Sequence, residues 1–459
     1  MSTSRPSTTP RTPQDFATAW ALPLRTIVSA PGALDRLPGL VGQLPATGDL
    51  GLLHDGTPKA VGEADLLTRV QDSLAGRALR PVQTPPGAHG TVLDEATVQF
   101  TVDAARGITG LVSVGSGTIS DLAKAVAAEL DVPLVAVQTA ASVNGYADSL
   151  SVLVRNGAKR TVPTAWPQAL LIDHDVLAQA PDALTRSGVG DAVAVWVAPA
   201  DWYLANALGL DRGFDESSVA PVSTAAHALV ELDPAEPAAL AALIDTLTIG
   251  GLGIGFTGTT AGLSGCEHLI SHLLDMAAMA AGTEHDLHGA QVGVATVVSC
   301  ALWEIALQEM DLGRLEPAAL APPADLEQRV LASWRDLDPS GRVGGECWTA
   351  VQRKFAAWAE HGADVRRFFD RWPEHEDTLR RLAAPPRLPA TALQRWGAAV
   401  TFSALTPAVD ADRARWALRT LPYMRDRFTL ADLLLLAGRW DDALIDRVLA
   451  RAAEVGGGL

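Results

Sequence analysis

The residues of this chain best suited to chemistry sit in one short run. The stretch GCEHLISHLLDM at 265–276 puts two histidines four residues apart. On a helix, positions i, i+4 and i+7 share one side, so His268, His272 and Asp275 project together. Cys266, Leu269, Ile270, Leu273, Leu274 and Ala277 form a separate apolar stripe that would pack the helix. His288 opens a second helical pattern, HGAQVG at 288–293, and four of the ten histidines fall between 268 and 288. Clustered imidazoles suit a divalent metal, but a catalytic metal needs at least three protein ligands and an open position for substrate or water. Asp191, in RSGVGDA at 186–192, is one candidate for the further ligand: a carboxylate behind two glycines at the start of an apolar helical run. Each of these residues also has an ordinary structural explanation. A histidine at a helix start is a common cap, and an aspartate in a first turn is favoured by the helix dipole.

A second group could hold a phosphate. In VGSGTISD at 114–121, Gly115 and Gly117 let the backbone approach a ligand, and the first N–H groups of the following helix point at it. Ser116 and Thr118 add hydroxyls, and Asp121 closes the run among the candidate cofactor-binding residues. The pattern departs from GxGxxG, and a tight strand-to-helix turn explains it equally well. Asp55, after an earlier strand, is placed to accept from an adenosine ribose hydroxyl, which would favour NAD over NADP; a plain turn aspartate ahead of Gly56 is the alternative.

The elements that must position these residues change character along the chain. Residues 49–54, 110–114 and 132–137 are short apolar runs that predict strands. Between the last two, Ile119, Leu122, Ala123, Val126, Ala127 and Leu130 recur at helical spacing, which completes a βαβ unit and implies a parallel sheet covered by helices. From about Ala192 onward the patterns are helical. The expected organisation is a disordered Ser/Thr/Pro arm at 1–15, an α/β dinucleotide-binding domain at 16–190, and an all-helical metal- and substrate-binding domain at 191–459.

Composition excludes several classes. The net charge of −17 argues against a nucleic-acid or anionic-membrane surface. Three cysteines are too few and too irregularly placed for a disulfide framework or a Cys-rich zinc module, which fits a reducing cytoplasm. The long apolar stretches are Ala-rich and carry polar faces, so no membrane insertion is expected, and the N-terminus lacks the apolar core of a secretory signal.

Taken in order, VGSGTISDLAKAVA, TAASVNGYADSLSVLVRNGAKRTVP, LIDHDVLAQAP, GVGDAVA, ADWYLA, SGCEHLISHLLDM, HGAQVG and MRDRFTLADLLLLAG resemble the glycerol-1-phosphate dehydrogenases. These are a branch of the superfamily that also holds glycerol dehydrogenase, iron-type alcohol dehydrogenases and dehydroquinate synthase. The resemblance implies a Rossmann-like N-terminal domain with an all-α C-terminal domain. It implies that Asp191, His268 and His288 bind one catalytic zinc, nickel or iron ion. It implies that Gly115, Ser116, Gly117 and Thr118 hold the pyrophosphate of NAD or NADP, with Thr139 and Ser142 on the nicotinamide side and His272 near the reacting carbon. A homodimer or larger homo-oligomer is expected on the same ground.

Two departures bear on the substrate. The family reads Ser-x-Asp-Gly where this chain has Ser142, Val143, Asn144 and Gly145; the carboxylate that orients substrate hydroxyls is an amide, and Asp148 stands four positions later. The family's Arg-Pro before the SGCEH run is absent from 259–263, leaving Lys159 as a candidate phosphate or substrate contact, or a solvated loop lysine. The expected function is a metal-dependent, NAD(P)-linked dehydrogenase interconverting sn-glycerol 1-phosphate and dihydroxyacetone phosphate, or a related polyol and ketone. The alternatives are a dehydrogenase for a non-phosphorylated polyol or alcohol, a sugar-phosphate cyclase of the dehydroquinate-synthase kind, and a non-catalytic binding subunit.

Overall fold

A computed structural model describes residues 10–85, 93–155 and 158–459. Six strands form one wholly parallel sheet: β1 (Thr26–Ala30), β2 (Leu50–His54), β3 (Leu79–Gln83), β4 (Gly110–Gly115), β5 (Leu134–Gln138) and β6 (Ala169–Asp173), in the order β1-β6-β5-β4-β2-β3. Strands buried on both faces need continuous apolar runs, and β4, β5 and β6 are buried along their whole length. The helix α1 (Gly117–Leu130) joins β4 to β5, as its spacing predicts. Its Ile119, Leu122 and Val126 pack with Leu53, Leu111 and Leu134 in one buried cluster. Each such side chain contributes roughly 1.5–3 kcal/mol on burial. Beyond β6 the described residues hold no further strand.

The chain divides into two compact units. One holds Met1–Arg155, Arg160–Gly188 and Leu232–Gly258; the other holds Asn156–Lys159, Val189–Glu231 and Thr259–Leu459. The chain therefore crosses between units more often than one cut at 190 foresees: the helix α4 (Pro237–Thr257) returns to the sheet unit, where Thr248 bonds the Tyr146 hydroxyl at 3.0 Å. Residues 1–9 of the expected arm lie outside the described residues. Its last part is corrected. Thr12 caps the helix Pro13–Ala19 by accepting from the Asp15 N–H, and Asp15 accepts from the Thr12 N–H in return.

The helical unit is built on α5 (Cys266–Ala281), which packs along α6 (His288–Glu309). The single apolar stripe expected on α5 proves too narrow, because every residue from Cys266 to Ala277 is buried, the histidine face included. Among the described residues two helices, Pro237–Thr257 and His288–Glu309, are long and apolar enough to cross a membrane, but their apolar windows are 67% and 83% buried within the protein, as core helices are. The three cysteines are buried and none is part of a disulfide.

Candidate metal centre

Asp191, His268 and His288 each offer a donor atom, and the three atoms lie within 4.8 Å of one another. Asp191 sits in the last turn of α2 (Asp182–Ala192), not at a helix start as the sequence suggested. The dipole there disfavours a carboxylate, so its burial calls for a nearby positive charge. Its Oδ1 lies 3.3 Å from Nε2 of His268. Gly190 makes the approach possible. A Cβ on Gly190 would stand 2.0 Å from the carbonyl oxygen of Gly289, so only glycine lets α2 meet the first turn of α6, where His288 stands.

Two of the sequence motifs fix the start of α5. Asp201, on α3 (Ala198–Ala207), accepts from the N–H of Cys266 at 2.8 Å and from that of Leu430 at 2.9 Å, capping two helices at once. Burial and the neighbouring Glu267 push its carboxyl up to about 7. Arg427 donates to the Ser264 carbonyl and, at 2.8 Å, to the Thr260 hydroxyl. The segment that lacks its expected arginine thus receives a guanidinium from the MRDRF motif, spent on holding the backbone before α5.

The ring centroids of His268 and His288 lie 5.1 Å apart, and that of His272 lies 5.5 Å from His288 and 6.3 Å from His268. Burial lowers the pKa of His272 well below that of a free imidazole, with the other cations around it adding to the effect. Burial likewise takes His288 down to about 3, helped by His268. His268 goes the other way, to about 9: burial opposes its charge, but Asp191 and Glu267 outweigh burial. The anionic surround that draws a proton to His268 is the surround that draws a metal cation. The donor set also fits one chemically. Nδ1 of His268 lies 3.0 Å from Oε1 of Glu267, and Nδ1 of His288 lies 3.0 Å from the Ser271 hydroxyl, leaving both Nε2 atoms for a cation beside Asp191. Two imidazoles and a carboxylate suit zinc, nickel or iron. Among the described residues the buried Nδ1 of His272 has no hydrogen-bond partner.

Lys159 is placed with this unit, but its charge is matched. It pairs with Oδ2 of the fully buried Asp275, whose Oδ1 lies 3.0 Å from Nδ1 of His285. Burial would raise the Asp275 carboxyl, yet Lys159 and His285 hold it below the usual range.

The remaining candidates lie in the sheet unit. Ser116 precedes α1 and makes no side-chain cap on that fourteen-residue helix. The glycines also serve packing: a Cβ on Gly115 would stand 2.4 Å from that of Ile119, and one on Gly117 would stand 2.7 Å from a Val143 methyl. Thr118 is exposed. The buried Thr139 donates its N–H to the Gly115 carbonyl at 3.2 Å, and the Ser142 carbonyl accepts from Ser187 at 3.3 Å. Asp55 holds Lys59 at 2.6 Å and the Thr57 N–H at 3.0 Å through one oxygen, which competes with a ribose hydroxyl.

Asp121 and Asp148 require correction. Lys124, 1% exposed, lies 3.0 Å from Oδ1 of Asp121 and 2.8 Å from Oδ1 of Asp148, and also donates to the carbonyls of Gly145 and Leu150. Asp121 accepts in addition from the Val152 N–H at 3.1 Å. These carboxylates lock the 142–150 loop to α1, and Asp148 is not at liberty to supply the charge that Asn144 lacks. Asn144 itself opens the short helical turn Gly145–Ala147 with no side-chain cap.

Reasoning from sequence missed Glu267, Ser271, Gln291 and Asp201. The first three were in view as the neighbour of His268, the residue three past it, and the residue three past His288. Nothing in their spacing marks them, because Ser271, Gln291 and Asp201 act on other helices and Glu267 on its immediate chain neighbours.

The profile of the iron-containing alcohol dehydrogenase family matches residues 28–181. A glycerol-1-phosphate dehydrogenase (NAD(P)+) of Bacillus velezensis is 31% identical over 280 residues, covering 60% of this chain and 68% of that one. The enzyme of the same name from Geobacillus thermodenitrificans is 28% identical over 208 residues, 45% of this chain and 52% of the relative, so the chain spans about half the length of some of the curated relatives it matches. Among solved structures, glycerol dehydrogenase from Schizosaccharomyces pombe superposes with a TM-score of 0.59 at 16% identity, over 94% of this chain and 90% of that one, a likeness of fold.

Proposed function

The chain belongs to the iron-containing alcohol dehydrogenase family, and we propose that it is a metal-dependent, NAD(P)-linked dehydrogenase interconverting sn-glycerol 1-phosphate and dihydroxyacetone phosphate, or a closely related polyol and ketone. The observation that carries this reading is the convergence of Asp191, His268 and His288, distant in sequence, within 4.8 Å. These three would hold the cation; Gly115, Ser116, Gly117 and Thr118 would hold the dinucleotide pyrophosphate. When bound, the cation supplies Lewis acidity toward a hydroxyl or ketone oxygen, and the nicotinamide supplies hydride exchange. The chain's residues do the rest. His272, kept neutral by burial, offers its unengaged Nδ1 to a substrate hydroxyl. Burial of Asp191 and His268 strengthens the contacts they make.

A non-phosphorylated polyol is the second reading. It is favoured by Lys159, whose charge is already matched by Asp275, and by the amide at Asn144. We place the enzyme in the cytoplasm as a homodimer or larger assembly.

The test is a panel of polyols, polyol phosphates and ketones with each of zinc, nickel and iron, followed by NADH absorbance. Stoichiometric NADH with glycerol 1-phosphate is expected. Product formed with no net NADH would assign the chain to the cyclases, and no turnover under any condition would assign it to binding. Asn144→Asp should raise the preference for glycerol phosphate over glycerol about tenfold, the effect of one hydrogen bond to a charged group. An identical substrate profile would remove position 144 from the selectivity determinants.

A further inference from the structure

The two histidines of the centre are held differently. Glu267 is fully buried, and its Oε1 accepts from the Gly265 N–H at 2.7 Å while facing Nδ1 of His268 at 3.0 Å. A carboxylate has no hydrogen to give, so a ring hydrogen stands on Nδ1, and the neutral ring that would take a cation has its lone pair on Nε2, the nitrogen 3.3 Å from Oδ1 of Asp191. Adjacent helix residues ordinarily diverge. Glu267 can turn back because Gly265 leaves the space: a Cβ there would lie 3.0 Å from Oε2 of Glu267 and 2.5 Å from Oδ2 of Asp201.

His288 reaches the same tautomer by a neutral route. The Ser271 hydroxyl donates its one hydrogen to Oε1 of Gln291 at 3.0 Å, so toward Nδ1 of His288, also 3.0 Å away, it can only accept. The amide orientation of Gln291 is set in turn, because its Nε2 donates to the Asp286 carbonyl at 3.3 Å.

We propose that Glu267 is the principal positioning residue of the metal centre, fixing the tautomer of His268 and making its Nε2 the stronger imidazole donor, while Ser271 and Gln291 orient His288 without adding charge. The inference rests on Asp191, His268 and His288 being the metal ligands. An anionic partner on the far nitrogen raises imidazole basicity, and loss of such a partner typically costs about 10–100-fold in metal affinity. A neutral hydroxyl polarises its ring less.

The experiment strips the protein with a chelator and titrates zinc against a competing fluorescent chelator, with unfolding of the metal-free protein measured in parallel. Glu267→Gln keeps an acceptor of the same shape but removes the charge. It should weaken zinc binding about 10–100-fold at unchanged metal-free stability, and Gln291→Met should weaken it by a smaller factor. A purely structural role moves stability and affinity together. Wild-type affinity in Glu267→Gln, or an equal loss in Gln291→Met, overturns the proposal. Should Glu267→Gln fail to fold, the ring nitrogens of the wild-type zinc protein labelled with 15N-histidine decide: both histidines carry hydrogen on Nδ1 if the proposal holds, and hydrogen on Nε2 of His268 overturns it. Failure of the underlying metal reading looks different, as an absence of zinc binding by the wild type or full binding by His268→Ala.

Discussion

His268→Ala should abolish turnover while dinucleotide binding survives. The substitution removes one of three donors and leaves Asp191 buried without its imidazole partner, 3.3 Å away in the native chain. A Lewis acid is worth several kcal/mol to the reaction, so its loss corresponds to a fall of about 10³-fold or more in kcat/KM. The glycine loop at 115–118 belongs to the other compact unit. Steady-state assay paired with NADH fluorescence titration separates the two properties. Retained activity would remove His268 from the ligand set; loss of both activity and NADH binding would mean that the substitution unfolds the protein.

The largest effect on stability is expected from Lys124→Met. Methionine matches the length of the lysine stem but gives no cation to Asp121 and Asp148, and leaves the Gly145 and Leu150 carbonyls without their donor. Removing one partner of a buried pair costs roughly 3–5 kcal/mol, because the other charge stays buried. The deficit should depend on pH. Burial already pushes Asp148 up to about 6, and Lys124 is the main influence restraining it; without Lys124 the carboxyl rises further. A carboxyl raised above its unfolded value favours folding when protonated, and that contribution is lost as pH rises through the folded pKa. The gap between variant and wild type should therefore be widest near pH 8 and narrow toward pH 5, as read from denaturant unfolding. A gap independent of pH would show that lost packing, not uncompensated charge, sets the cost.

Much of this molecule is legible in its sequence, and the reasons differ by element. The strands at 50–54, 110–115 and 134–138 and the helix at 117–130 follow from apolar periodicity, which burial on a parallel sheet imposes directly. The path of α4 back to the sheet unit is not legible, because a helix with apolar residues on all sides gives no sign of which core it joins. At the metal centre, the spacing of His268 and His272 predicts a shared face, but the approach of Asp191 depends on the close crossing at Gly190. Sequence shows that glycine without showing which backbone it admits. Asp148 is the instructive error: read as a spare charge beside Asn144, it is committed to a lysine twenty-four residues earlier whose ammonium the sequence gives no reason to bury.

Metal analysis combined with anomalous diffraction at the absorption edge tests the central claim most directly. Protein loaded with zinc, nickel or iron should hold one tightly bound cation per chain, ligated by an oxygen of Asp191 and a nitrogen from each of His268 and His288. A chain that binds no cation at saturating metal, or carries it away from these three side chains, would contradict the account.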